Sequence, residues 1–483
     1  MDPTTSGPAS SAVVARKPGL LINGNYGRLW IGLTISVFGD FIFDTTLVLW
    51  IAAVIARGQS WAPLAVSGVF IATTIPMLVV GPIAGVFVDR WSKRGTMLVM
   101  DVLRAVLVAG LILSSGLVPL PFLPDGRLPI FWQLGVIYAV VFLLNTFSQF
   151  FRPASLALTG DLVSEKMQAH ATGLSQTSMS IAMILGPTLA APLFVAFGPE
   201  WALGINACSF VASFCFIQSV SAPSAARSVA AGAHPNFWNE FGLGLRYFLR
   251  SRVLVVLTIS ATIVMLGGGA LNTLDIFFVT QNLHAPASVY GLVSGVMGVG
   301  MILGAILAGA FAQKIGLTRT LWLSLLAIAV LITAYGRSAN IWVAIAVIGV
   351  AGIAQAALNV AIGPLLLRSA PREMIGRVSS ILNPTVTIAT IAGAALGGYL
   401  DSTILHGFSA TVLGIRFGAV DTIFTGAGVI ALVGALFAMV GLHGVRFGTQ
   451  EPAPDEVSET PAGVAASSLA TVEAPALDPQ LAQ

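Results

Sequence analysis

Long apolar runs, separated by short stretches rich in charged residues, glycine and proline, extend over most of the chain. Each run is about long enough to cross the hydrocarbon core of a bilayer, which takes roughly 20 residues of α-helix. The pattern predicts an all-α membrane protein. The twelve runs lie at 29–56, 62–88, 96–119, 130–151, 169–197, 200–221, 253–280, 287–312, 319–336, 340–367, 375–400 and 419–444.

A polar segment divides the twelve predicted transmembrane helices into two sets of six that share sequence features. Ser67, Gly68 and Val69 open the second run as Ser294, Gly295 and Val296 open the eighth. Such parallel repeats are typical of transporters with a substrate site at the interface of the repeats. We predict a cytoplasmic tail at 1–27, two pseudo-symmetric six-helix bundles at 28–221 and 252–446, a linker at 222–251, and a tail at 447–483.

The tails and the linker differ from the bundles in composition. Residues 447–483 carry six acidic residues and no basic one, so this tail is predicted to be disordered. In the linker, an apolar helical face predicts a helix lying at the membrane surface. A simple extension of the seventh span is the alternative. The apolar residues of that face are Phe237, Trp238, Phe241, Leu245 and Phe248.

Composition excludes an ordinary soluble enzyme. Of the 483 residues, 56% are hydrophobic and only 9% are charged, whereas a soluble domain has about 25% charged residues. Lipid must therefore be the solvent for most of the chain.

The distribution of lysine and arginine predicts the orientation in the membrane. With both tails on one side, that side holds 18 of the 23 basic residues and the other side holds four. Basic loops stay in the cytoplasm, so both termini are predicted to be cytoplasmic in a multi-pass protein of the cell membrane.

Ionisable residues inside membrane spans are costly and are therefore functional candidates. Asp40 and Asp44 lie one turn apart on the first span, and two neighbouring carboxylates disfavour simultaneous ionisation, which suits proton exchange. The alternative is that one of them caps a helix break or pairs with Arg104. Asp275 is a weaker proton candidate near the outer end of the seventh span.

Other polar residues in the spans have predicted roles in the cavity or in packing. Asp101 and Arg104, three residues apart, are predicted to form a structural pair within the membrane. Five amides are candidates for lining a cavity, although hydrogen bonding between helices is the favoured role of each. They are Asn145, Gln149, Gln355, Asn359 and Asn383.

The loop after the second run carries a glycine, an acid and several bases at a specific spacing. It resembles the signature between the second and third helices of the major facilitator superfamily (MFS), with Ser92 in place of a second glycine. The resemblance favours a latch that holds the cytoplasmic ends of the two halves together. A purely topogenic basic loop is the alternative. The residues of this gate motif are Gly85, Asp89, Arg90, Lys93 and Arg94.

The fifth run carries Gly173, Gly186 and Pro187, which resemble the antiporter motif of the superfamily, although Ala182, Ala190 and Ala191 replace three of its glycines. Small residues allow close helix approach and proline bends the helix, so plain helix packing is an alternative explanation.

A longer resemblance, to the macrolide-exporter branch, covers roughly residues 28–445. It is carried by Phe151, Arg152, Pro153 and Ala154, by Asp161, Leu162 and Val163, by Gly173 to Gln176, and by Gly242 to Arg250. It implies drug:proton antiport, or export of an amphiphilic metabolite such as a macrolide- or siderophore-like compound.

We therefore predict secondary active transport by alternating access. The expected partners are the lipid bilayer, a small amphiphilic substrate and protons, but no nucleic acid, and the chain is expected to act as a monomer. No lysine follows a glycine, so a phosphate-binding Gly-Lys is absent. Enzymatic activity, a cofactor and a metal are not expected. Uptake or facilitated diffusion, and a membrane receptor or enzyme, are the competing functions.

Overall fold

The computed structural model describes residues 22–114, 128–221, 237–371, 374–412 and 415–443. Within these ranges, twelve helices are long and apolar enough to cross a membrane. This confirms the predicted helical class and the number of spans. Both predicted tails, apart from residues 22–27, and the linker residues 222–236 lie outside the described ranges.

The first half contains seven helices, because the second span is divided in two. They are α1 (Gly24–Trp50), α2 (Ala62–Val79), α3 (Gly81–Val88), α4 (Lys93–Ser114), α5 (Ile130–Leu162), α6 (Glu165–Phe197) and α7 (Pro199–Gln218).

A linker helix, six spans and a short hairpin follow. They are α8 (Phe237–Arg250), α9 (Arg252–Phe277), α10 (Ser288–Ile315), α11 (Leu317–Gly336), α12 (Ile341–Ser369), α13 (Ile375–Tyr399), β1 (Ser409–Val412), β2 (Ile415–Gly418) and α14 (Ala419–Gly441). The antiparallel hairpin, with Ser409 opposite Gly418, was not predicted from the sequence.

Several predicted boundaries are wrong for identifiable reasons. The fourth span continues to Leu162, past the predicted end at 151; the hydroxyls of Ser155 and Thr159 bond to carbonyls of their own helix, so this polar segment needs no partner outside α5. The second span breaks at Val80, since Pro82 in the first turn of α3 supplies no N–H to continue the ladder. The first span begins at Gly24, where the Asn23 side chain accepts a hydrogen bond from the Tyr26 N–H.

The linker helix is a separate element and not an extension of the seventh span. Ser251 adopts an extended conformation between α8 and α9 and caps α9. Phe248 is buried beside Leu254, and the Tyr247 hydroxyl donates to the Ser369 carbonyl at 2.9 Å. The helix therefore packs on the second half. Its location at a membrane surface stays a prediction.

Equivalent helices of the two halves share an unusual backbone feature. The spans of α1 and α9 both finish in a π-helical turn, Ile51–Ile55 and Phe278–Asn282, and a third such turn, Leu400–Ile404, follows α13. The first two turns begin 227 residues apart, the same spacing that separates Ser67 from Ser294. The backbone thus supports the repeat seen in the sequence.

The two halves meet at one end of the bundle. We call the face where α1 begins and α14 ends the tail side, and the opposite face the loop side. On the loop side, the Ser67 hydroxyl donates to the Ala394 carbonyl at 2.8 Å, and Ser402 accepts from the Leu64 N–H at 3.1 Å. These bonds join α2 to α13 and its continuation.

The second contact between the halves joins α6 to α10, also towards the loop side. A Cβ on Gly291 would overlap the carbonyl oxygen of Pro187, and one on Gly295 would overlap the Thr188 hydroxyl. Towards the tail side, Gly173 of α6 and Gly309 of α10 have no described neighbour within 4 Å of a Cβ position. The halves are therefore packed together on the loop side and apart at these tail-side positions.

Candidate functional site

Helix α1 carries two carboxylates at mid-span, and close packing fixes their position. Gly39 lies against Ser209 and Asn206 of α7, where a Cβ would not fit. On another side of α1, Gly186 of α6 leaves space for the Phe41 side chain. Helix α1 is thus held between α6 and α7 on both sides of Asp40.

The two carboxylates have different surroundings although they are one turn apart. Asp40 is half-buried, whereas Asp44 is exposed in the middle of a helix whose neighbouring residues 45–51 are all buried. The charge of Asp44 acts on Tyr290 of α10, in the opposite half. Asp44 therefore faces the space between the halves, which we call the central cavity, and Asp40 lies in its wall.

Behind α1, the structure pairs Asp101 with Arg104 inside the membrane. Their side chains are 0% and 3% exposed and form an ion pair. The guanidinium lies 4.2 Å from the ring centre of Phe151 and 4.4 Å from that of Phe210. Such flanking aromatic faces stabilise a desolvated arginine. Arg104 thus has Asp101 as its ion-pair partner, and Asp40 feels the charges of both.

The second half places Asp275 against a tyrosine that sequence spacing does not reveal. The Tyr335 hydroxyl donates to the Asp275 carboxylate at 2.5 Å. The Tyr335 ring lies 4.7 Å from that of Phe278 and 5.9 Å from that of Phe424. Tyr290, which is also buried, is close enough to feel the charge of Asp275. This group lies towards the loop side of the central cavity.

The five amides do not join helices in the described part of the chain, contrary to the favoured prediction. The Asn145 amide donates to Val141 at 3.0 Å and the Gln149 amide to the Asn145 carbonyl at 3.3 Å, both within α5. Gln355 donates to Asn359 within α12 at 3.4 Å. An amide can bond the carbonyl four residues earlier on its own helix, so no neighbouring helix is needed. Asn359 and Asn383 are exposed.

The basic residues of the gate motif contact the first half itself. The Lys93 ammonium lies 2.7 Å from the Asp161 carboxylate at the end of α5. Arg94 donates to the carbonyls of Ile217 and Gln218 at the end of α7, where a cation complements the helix dipole. Asp89, Arg90 and Gly85 lie on the tail side, and Asp89 has no described partner for its carboxylate. A latch across the halves stays a prediction for a conformation in which the tail side is closed.

The antiporter-like motif lies at the junction of three helices. Gly186 contacts α1 beside Asp40, and Pro187 contacts Gly291 of the opposite half. Gly173 is exposed on the tail-side part of α6. The Gly-Pro pair thus links the helix of the carboxylates to the contact between the halves.

The described residues contain no group of three or more His, Cys, Asp or Glu side chains arranged to hold a metal ion. The arrangement suits two kinds of chemistry. Carboxylates at the wall of a cavity can bind and release protons, and an exposed carboxylate between two halves can contact a cationic or polar ligand.

Known transporters resemble the chain over most of its length. A family model described as transmembrane secretion effector matches residues 20–435. The uncharacterized MFS-type transporter YkuC of Bacillus subtilis is 23% identical over 432 residues, which cover 87% of this chain and 93% of YkuC. Macrolide efflux protein A of Streptococcus pyogenes is 21% identical over 378 residues, covering 78% of this chain and 89% of that protein.

Solved structures share the fold. The crystal structure of the nucleoside transporter NupG superposes with a TM-score of 0.64 at 13% identity, covering 86% of this chain and 99% of NupG. At that identity the likeness concerns the fold alone.

Proposed function

The chain belongs to the transmembrane secretion effector family of the major facilitator superfamily, and on this premise we propose that it exports small amphiphilic compounds from the cell in exchange for protons. The family makes it a multi-pass membrane transporter. One observation carries the proposal of proton exchange: two carboxylates lie one turn apart at mid-span, one in the wall of the central cavity and one exposed in it.

The conformation of the halves is consistent with loading of substrate from the cytoplasm. The contacts between the halves that involve Ser67, Gly291 and Gly295 lie towards the loop side. With both tails in the cytoplasm, as the 18 basic residues on their side indicate, the central cavity of this conformation opens inward. An exporter needs this state to take up its substrate.

Exchange of substrate for protons follows from the change in charge of the α1 carboxylates when they bind or release a proton. A carboxylate in a membrane interior is favoured as the neutral acid unless water or a cation is close to it. Substrate and proton therefore compete: a bound cationic or polar substrate favours the ionised carboxylate, and a proton from outside displaces the substrate. Asp40 is the proposed proton carrier, and Asp44 the group that contacts the substrate or shares the proton.

The substrate class is proposed from the relatives and the cavity together. Macrolide efflux protein A is a relative over most of its length, and an exposed carboxylate between two apolar helical halves suits a large amphiphile with a basic or polar group. We propose macrolide-like or siderophore-like compounds, exported by a monomer, because the cavity lies within one chain.

The test is accumulation of labelled compounds by whole cells that produce the full chain. A panel of a macrolide, a siderophore and a cationic amphiphilic dye is measured with and without an uncoupler. We expect lower accumulation of at least one compound than in cells with an empty vector, and loss of the difference on adding uncoupler. Asp421→Asn removes a loop-side carboxylate of α14 and serves as the charge control for Asp40→Asn. Higher accumulation would show uptake, and uncoupler-resistant export would exclude proton exchange.

A further inference from the structure

A cluster of buried polar groups lies behind α1, on the side away from the central cavity. It combines Asp101 and Arg104 of α4 with Asn206 and Ser213 of α7, and all four side chains are 3% exposed or less. Such groups are costly in a membrane bundle, where lipid and apolar side chains offer no hydrogen bonds. Their position on two facing helices makes them one cluster.

The hydrogen bonding of this cluster is incomplete. Four polar atoms of the cluster find no partner among the described residues: Asp101 Oδ2, Arg104 Nε, Asn206 Nδ2 and Ser213 Oγ. The Ser213 hydroxyl lies beside Asp101, but outside the geometry of a direct bond. Each donor or acceptor left unpaired in the interior costs about 1–3 kcal/mol, so this cluster is more costly than a fully hydrogen-bonded ion pair. The incomplete bonding points to a role other than holding α4 to α7.

The cluster adjoins Asp40. Gly39 lets α1 approach Asn206 and Ser209 so closely that a side chain there would collide with them. Arg104 and Asp101 lie close enough to Asp40 for their charges, which have opposite signs, to act on its carboxylate. The low local dielectric lets these charges reach across the helix contact.

The remaining ionisable groups near Asp40 are few. Asp44 is on the same helix, and beyond it lie Tyr290 and Asp275 of the opposite half. The helices packed against α1 carry most of their other charged residues near the two ends of the bundle: Glu165, Lys166 and His170 on α6, Asp161 on α5, and Glu200 on α7. Arg152 of α5 lies deeper, directly after Phe151, and its side chain is exposed. The thiols of α7, Cys208 and Cys215, are exposed. The charged groups that act on Asp40 are thus Asp44 on its own helix and the Asp101–Arg104 pair of α4.

We propose that the Asp101–Arg104 pair is a positioning unit that sets the pH at which Asp40 takes up and releases its proton, with Asn206 transmitting the contact to α1. The proposal rests on the proton exchange proposed above. It assigns the pair to the transport mechanism, whereas the spacing of the two residues alone indicates a structural pair.

The signs of the expected changes follow from the charges. Asp101→Asn leaves the Arg104 cation uncompensated, which favours ionised Asp40, so the pH midpoint of Asp40 protonation falls. Arg104→Gln removes the cation, so the midpoint rises whether or not Asp101 then keeps its own proton. Each change amounts to about one pH unit. The double variant has a midpoint above that of Asp101→Asn and no higher than that of Arg104→Gln, which it equals if Asp101 is neutral in the latter.

The experiment uses infrared spectroscopy of the purified full chain in lipid nanodiscs. The protonated carboxylic acid band that disappears in Asp40→Asn reports Asp40, and its intensity is titrated with pH in each variant. Asp421→Asn is the charge control and leaves the midpoint unchanged. Asn206→Leu, which removes the amide but no charge, shrinks the shift caused by Asp101→Asn.

Three results would overturn the inference: no band lost in Asp40→Asn, midpoints of both single variants equal to wild type, or shifts of both in the same direction, which is the result of general loosening. If one single variant fails to insert, the other and the double variant decide the sign. Failure of the proposed function is a separate result, because it consists of cells that export no compound in an uncoupler-sensitive way.

Discussion

At the scale of single residues, Asp40 and Asp44 show how far helix geometry alone can place a site. Residues four apart share a helix face, so the sequence correctly places the two carboxylates together. The two carboxylates nevertheless have different surroundings: Asp40 lies in the cavity wall and Asp44 is exposed in the cavity. This difference depends on the neighbouring helices α6, α7 and α10. No spacing within α1 contains that information.

We expect Asp40→Asn to abolish gradient-driven export while leaving exchange of labelled substrate across the membrane partly intact. The variant removes the proton-binding group but leaves the exposed Asp44 in the cavity. Export and exchange are measured in proteoliposomes with and without an imposed pH gradient. If Asp40→Asn kept full gradient-driven export while Asp44→Asn or Asp275→Asn lost it, the assignment of the proton site to Asp40 would be wrong.

Tyr335 is a residue whose role depends on a contact between distant parts of the sequence. Its hydroxyl donates to Asp275, 60 residues earlier in the chain. Tyr335→Phe keeps the ring stacking and removes only the donor, so we expect the free energy of unfolding in detergent to fall by about 1 kcal/mol. A double-mutant cycle with Asp275→Asn isolates the pair. Tyr399→Phe, on an exposed tyrosine, is the control, and an equal loss there would contradict the assignment.

At the scale of elements, the contact of α6 with α10 depends on the missing side chain of Gly291. We expect Gly291→Val to prevent close packing against Pro187 and so to favour states with an open loop side. The readout is thiol labelling at a cysteine placed on the loop side, in a background in which Cys208 and Cys215 are replaced by serine. Gly426→Val, at a position of α14 with no described neighbour within 4 Å, is the control. Unchanged labelling in Gly291→Val would refute this role.

The gate motif at the start of α4 gives a prediction about rate. The described contacts of Lys93 and Arg94 lie within the first half, and Asp89 has no described partner in this conformation. We therefore expect Asp89→Asn to slow export several-fold, because the missing latch affects only the state with a closed tail side. Thermal stability of the protein in the conformation with the loop side packed should be unchanged. Glu200→Gln, on the loop side, is the control. An export rate of Asp89→Asn equal to that of this control would contradict the latch role of Asp89.

The same elements show which features the sequence cannot provide. Hydrophobic runs located all twelve spans, since lipid requires long apolar helices. They did not reveal the break at Val80, the extension of α5 to Leu162 or the hairpin at 409–418. These three features depend on local hydrogen bonding and proline geometry, and a count of apolar residues contains no information on either.

At the scale of the whole molecule, topology follows from charge. With 18 basic residues on the side of the tails, we expect a reporter fused after residue 446 to be cytoplasmic. A reporter inserted in the hairpin, between β1 and β2, should be on the opposite side. The pair of fusions is compared by enzymatic reporters that are active on one side only. A signal from outside the cell for the fusion after 446 would reverse the direction of transport proposed here.

The matching π-helical turns of α1 and α9 also bear on the evolutionary origin of the two halves. A π-helical turn is rare and contains one residue more than the α-helix it interrupts. Here it occurs 227 residues apart in the two halves, the separation also found for Ser67 and Ser294. The equal spacing supports descent of both halves from one ancestral segment that already contained the extra residue, whereas the π-helical turn after α13 has no counterpart in α6. The segment from the π-helical turn of the first span to Ser67 has the same length as the segment from the π-helical turn of the seventh span to Ser294. The starts of α5 and α12 are only 211 residues apart. The copies thus diverged in length farther along, where the first half keeps a longer connection before its fourth span.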